Sequence, residues 1–113
     1  MSDTITIRPD TSLHVVRAGG AVIAESRDVK ILEETGHDPV VYFPRSDIGM
    51  AFLDPSDTRT TCPHKGEATY FHIFAKSGAI RDAGWSYEAP GAGAEPIAGH
   101  IAFSHDRVAV ERL

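Results

Sequence analysis

The chain has a single cysteine, Cys62. It cannot close a disulfide within the molecule, and four-cysteine zinc sites are excluded by count. Basic residues are scarce as well: 11 lysines and arginines stand against 16 acids, a formal net charge of -5. Without a basic excess to release counterions, a nucleic-acid partner is disfavoured. No apolar run approaches the ~20 residues that a spanning helix needs. The start, Met1-Ser2-Asp3-Thr4, carries neither a positive n-region nor an apolar h-region. These absences predict a soluble, cytoplasmic protein with no membrane partner. A 3.6-residue apolar stripe is missing throughout, so helices longer than a turn or two are not expected.

What is present is alternation punctuated by glycine and proline. With 113 residues, 42% of them hydrophobic and 24% charged, the chain reads as one domain, 1–113, around one core. Thr4 to Pro9 puts Ile5 and Ile7 on one face and closes on a proline, the pattern of an edge strand. Leu13–Arg17 and Ala21–Ser26 flank Gly19-Gly20, a hairpin signal because both glycines accept positive φ. Val29–Glu34 reads as a strand from its β-branched content, and Val40–Phe43 as a buried strand ended by Pro44. Pro44 to Ile48 fits a single 3₁₀ turn. Met50–Leu53 reads as a short strand stopped by a turn at Asp54-Pro55-Ser56-Asp57.

Glu67–Ala75 carries aromatics on both faces, which predicts a central strand. It is expected to turn at Lys76-Ser77-Gly78 and pair with Ala79–Tyr87. Ala89–Pro96 predicts an irregular loop. Ile101–Ser104 and Val108–Glu111 predict a terminal hairpin about His105-Asp106-Arg107. The fold class expected is all-β, with about nine or ten short antiparallel strands and at most short helical turns.

The richest stretch chemically is Thr60 to Tyr70. Cys62 lies within three residues of His64 and Lys65, and a neighbouring cation lowers a thiol towards a reactive thiolate. The same cysteine would serve equally as a small buried hydrophobe. Lys65-Gly66 can present an ammonium at a turn to an anion, or simply a solvated lysine; the phosphate-cradling Gly-x-x-x-x-Gly-Lys pattern is absent. Trp85 and Tyr87 share a strand face, where two amphipathic rings either wall a pocket or pack. Glu88 beside them is an acid/base candidate, provided that its surroundings raise its pKa. The six histidines include no His-x-His and no His-Glu-x-x-His, so neither a metal nor another cofactor is expected. Gly-x-Ser-x-Gly is missing, which removes a serine triad.

Three stretches together resemble the small bacterial family called domain of unknown function 427. They are Val41-Tyr42-Phe43-Pro44-Arg45-Ser46-Asp47; Pro55-Ser56-Asp57-Thr58 continuing through Thr61-Cys62-Pro63-His64-Lys65-Gly66-Glu67-Ala68-Thr69-Tyr70; and Asp82-Ala83-Gly84-Trp85-Ser86-Tyr87 with Ile97-Ala98-Gly99-His100-Ile101-Ala102-Phe103. The resemblance covers nearly the whole chain. It implies a compact fold of the tent-like, Mss4-like kind, two or three antiparallel sheets meeting at an angle. Paired Cys-x-x-Cys knuckles often hold zinc in such domains, and Cys62 alone cannot supply them. The family is also filed under a nucleotidyltransferase heading. Tyr42, Arg45, Cys62, Lys65, Tyr70, Trp85 and Tyr87 fall on its characteristic positions.

The expected function is binding of a small organic or anionic molecule in a pocket near the Cys-Pro-x-Lys-Gly and Trp-x-Tyr segments. Cys62, Lys65 and Glu88 are the catalytic candidates, and Tyr42, Arg45, His64, Tyr70, Trp85 and Tyr87 the ligand-binding ones. A non-catalytic interaction or ligand-sensing module and a nucleotidyltransferase-like activity are the alternatives. Monomer and homodimer are both compatible with the sequence.

Overall fold

Alternation along the chain becomes strand after strand. The computed structural model describes residues 4–76 and 78–113. The features read at Met1, Ser2 and Asp3, and Ser77 of the expected turn, lie outside the described residues. Among the described residues, ten strands pair antiparallel in two sheets. β1 (Ile5–Asp10), β4 (Val29–Glu34), β5 (Val40–Phe43), β9 (Ile101–Phe103), β8 (Gly78–Tyr87), β7 (Gly66–Ala75) and β6 (Leu53–Cys62) lie in that order in a seven-stranded sheet. β2 (His14–Ala18) lies between β10 (Ala109–Arg112) and β3 (Ala21–Ser26) in a three-stranded one. The β2–β3 hairpin turns on Gly19 and Gly20, at φ 55 and 81, the positive values a tight primed turn demands. β1 takes the edge, β7 an interior position, and Arg45–Asp47 a 3₁₀ turn, as the sequence predicts.

Because side chains alternate across a strand, the large sheet feeds two cores. Val29, Ile31, Phe43, Phe71, Ile73, Ile101 and Phe103 pack against Val16, Ile23 and Ala24 of the small sheet. Their neighbours Leu32, Tyr42, Ala68, Tyr87 and Ala102 form a second cluster, to which Ala94 and Ile97 contribute from the connection after β8. Phe43 is fully buried and meets Phe103 edge-on, ring centroids 5.8 Å apart. A 2.7 Å bond from Gly49 N to Ile23 O ties the connection between β5 and β6 to the small sheet.

Two expectations are corrected. The strand expected at Met50–Leu53 and the turn expected at Asp54–Asp57 are replaced by a 3₁₀ turn at Met50–Phe52 and by β6, which runs straight through Asp54-Pro55-Ser56-Asp57. β6 is an edge strand with a register shift between Pro55 and Arg59. An edge and a bulge are the places where a sheet tolerates proline, which has no N–H for the ladder. The terminal hairpin is not formed either. β9 pairs with β5 and β8, whereas β10 pairs with β2 in the other sheet. All three residues of β9 are buried, so both its faces require cover that only an interior position provides, whereas β10 is largely exposed and takes an edge.

Phe43→Ala removes the ring at the centre of the first core and is expected to cost about 3–5 kcal/mol. In urea unfolding the midpoint should fall with little change in slope.

Candidate functional site

The Cys-Pro-His-Lys-Gly segment is the hairpin turn between β6 and β7, with Cys62 opposite Gly66 in the register. Gly66 closes it at φ 98, a left-handed value that favours glycine. Lys65 points back from this turn over the large sheet. Its Nζ lies 5.8 Å from the centroid of the Tyr87 ring and donates to Glu34 Oε1 at 2.9 Å. The two side chains are only 12% and 10% exposed.

This contact requires a strongly bent sheet. Glu34 ends β4, and β4 and β7 stand four steps apart in the strand order. At ordinary strand spacing four steps cover about 19 Å, more than a lysine and a glutamate reach between them. Twist and the register shifts in β6–β7 and β7–β8 fold the sheet over, so that the Lys65 turn faces the end of β4. Ile5 and Ile7 of β1 accordingly pack in the same cluster as Cys62 and Tyr70.

The inside of the fold-over is a groove of two neighbouring compartments, which share Val40 and Lys65 in their walls. One, of about 380 Å³, is lined by Cys62, His64 and Lys65 from the turn and by Glu34, His37 and Asp38 opposite. The other, of about 370 Å³, is lined by Tyr42, Tyr70, Trp85 and Tyr87, with Lys65 at one end and Asp82 and Ser104 also on its wall. Trp85 Nε1 donates to the Tyr42 hydroxyl at 3.3 Å, and the Tyr70 hydroxyl is 2.9 Å from Thr60 Oγ1. Tyr70 and Trp85 lie with centroids 6.4 Å apart at 40°.

Burial pushes the Tyr42 hydroxyl well up, with the Trp85 N–H opposing it, and raises Tyr87 against the nearby Lys65 ammonium. Both phenols therefore stay protonated and can donate. Burial works against the Lys65 charge, but the Glu34 hydrogen bond and the surrounding groups outweigh it and leave its pKa raised. The Lys65 hydrogen bond in turn holds Glu34 below the usual carboxylate range despite burial.

Seven of the residues predicted from sequence thus line one groove: Tyr42, Cys62, His64, Lys65, Tyr70, Trp85 and Tyr87. Arg45 and Glu88 line neither compartment. They form an ion pair with each other, and the Arg45 guanidinium stands 5.5 Å from the Phe71 centroid, a side chain of the first core. Glu34, His37, Asp38, Asp82 and Ser104 also line the groove and were not anticipated as site residues. Glu34 is 31 positions from Lys65, and nothing local marks it as a partner. Asp82 had one signal, an aspartate inside a strand, where that residue type is depleted. Among the described residues no group of three His, Cys, Asp or Glu is placed to hold a metal ion.

The connection after β8 is pinned rather than hinged. Gly91 N donates to Lys65 O at 3.3 Å and Gly99 N to Tyr87 O at 3.1 Å. A Cβ on Gly91 would sit 3.1 Å from the His64 carbonyl oxygen, so glycine permits the close approach.

A family model described as a domain of unknown function, DUF427, matches residues 6–113. No curated protein matches the chain.

Glu34→Gln removes the counter-charge of a largely buried ammonium and is expected to lower stability by about 1–3 kcal/mol. Glu34 is depressed in the fold, so its contribution is complete above the unfolded carboxylate value of about 4.3 and is lost as pH falls through the folded value. Lys65 is raised, so its contribution is complete below the unfolded value of about 10.4 and is lost as pH rises through the folded one. Melting curves of wild type and variant should therefore differ by a constant amount between those limits and converge outside them.

Proposed function

The chain belongs to the domain of unknown function 427 family, and on that premise we propose that it binds a small organic molecule in the aromatic groove. The observation that carries this reading is that Tyr42, Tyr70, Trp85 and Tyr87 line one compartment of about 370 Å³ with Lys65, a size in the range of small-molecule sites. The rings supply faces for stacking, and the hydroxyls and the Lys65–Glu34 pair supply donors and acceptors that orient a ligand. Between an organic and a simple anionic ligand, the 2.9 Å contact to Glu34 favours the organic one, because it already compensates the Lys65 charge. Cys62, on the wall of the adjoining compartment, is the group within reach for any thiol chemistry on a bound molecule. We assign the fold to the tent-like, Mss4-like domains on the steep fold-over of the large sheet, and the protein to the cytoplasm on its single cysteine.

Trp85 is the only tryptophan, so its emission reports on the groove directly. Screening small aromatic and heterocyclic compounds by Trp85 emission and thermal shift should yield a saturable ligand. Tyr70→Ala should weaken that ligand about two- to tenfold, the worth of one aromatic contact. A blank screen, with Tyr70→Ala and Lys65→Met lowering only the melting temperature, would instead make the aromatic face a packed surface of an interaction module.

A further inference from the structure

The aromatic compartment has a second charged end, at the head of the 82–87 stretch, that is not among the candidates read from the sequence. Asp82 lines it together with Tyr70 and Trp85. Its φ of 51 is the one positive value among the described non-glycine residues, and register shifts in β6 and in the β7–β8 ladder bracket it. The carboxylate is held from one side: Ser56 Oγ donates to Oδ1 at 2.5 Å and Thr58 Oγ1 to Oδ2 at 2.7 Å. These two bonds hold Asp82 below the usual carboxylate range. Its own N–H donates to His72 Nδ1 at 3.0 Å. His72 Nδ1 also stands 3.6 Å from Oδ1; an ionised carboxylate has about four acceptor sites, so these contacts do not exhaust its capacity. Arg107, whose charge also acts on Asp82, donates from its guanidinium to the Arg81 carbonyl at 2.5 Å.

The rings next to Asp82 are also unoccupied by charge. Lys65 stands over Tyr87 and Arg45 over Phe71, but among the described residues no lysine or arginine lies over Tyr70 or Trp85. Both rings are only part-buried. With Lys65 compensated by Glu34, no uncompensated positive charge in the compartment repels a cation, and the net charge of -5 draws one in.

We propose that the groove takes an organic cation, an ammonium bearing apolar groups, with its charge against the faces of Tyr70 and Trp85 and with Asp82 as counter-ion. Aromatic faces attract such ions through the ring quadrupole, and most strongly where water is partly excluded. The inference rests on the ligand-binding reading of the groove and adds the chemical class of the ligand.

The test uses three isosteres: choline, the neutral 3,3-dimethylbutan-1-ol and the anion 3,3-dimethylbutanoate, followed by Trp85 emission and thermal shift. Choline should bind saturably and at least about tenfold more tightly than the alcohol. Asp82→Asn, a residue type that tolerates positive φ, should weaken choline about tenfold and leave the alcohol unchanged. If that variant fails to fold, the comparison of the three compounds on wild type still decides. Equal binding of the alcohol or the anion overturns the cation assignment, as does choline binding indifferent to Asp82→Asn. If none of the three binds but the aromatic screen yields a ligand, the cation class alone is wrong; if that screen is blank too, the groove reading falls with it.

Discussion

Glu34 and Lys65 can meet only because the seven-stranded sheet folds over on itself, and most of what distinguishes this chain from a plain two-layer sandwich depends on that bend. A flat sheet would leave the Lys65 turn and the end of β4 on opposite wings, exposed and apart. Folded over, the sheet encloses its own second face. The ion pair spans the gap at 2.9 Å, and the apolar side chains of β1, β4, β5 and β7 meet beneath it. The bend does not need a second sheet to cover this face, which is why three strands suffice on the other side.

The two faces of the bent sheet have separate duties. The face towards β2, β3 and β10 is filled with aliphatic side chains and the Phe43–Phe103 contact, as a close-packed interior requires. The inner face carries tyrosines and tryptophan; Tyr42 and Trp85 join at their polar ends, and Tyr70 meets Thr60. Rings with polar tips suit a surface that is half wet. Ala94 and Ile97 stopper one part of this face, and the remainder is the groove.

Local pattern made much of this legible. Gly19-Gly20, the alternation of Thr4 to Pro9 and the aromatic run of β7 declare their structures within a few residues, because turn sterics and strand periodicity are short-range. The partners of β9 and β10 are not legible that way: similar apolar runs end in different sheets, and the choice is made by the burial that each run can obtain. Pro55 misleads for the same reason, since a proline marks a turn unless the strand happens to lie at an edge. The groove was half visible. Its hairpin-borne members, Cys62, Lys65, Tyr70, Trp85 and Tyr87, lie within two adjacent segments. Glu34 and Asp82 join them only through the bend and the bulges, which are properties of the whole sheet.

The prolines at the margins of that sheet have one more consequence. The outermost strands β1 and β6 contain Pro9 and Pro55. Each removes a backbone donor from the rim at which another chain would have to add its own strand, and the irregular register of β6 spoils the template further. The large sheet is thus guarded at both its rims against strand addition, whereas β3 and β10, the edges of the small sheet, carry no proline. Strand addition between copies is steered away from these two rims.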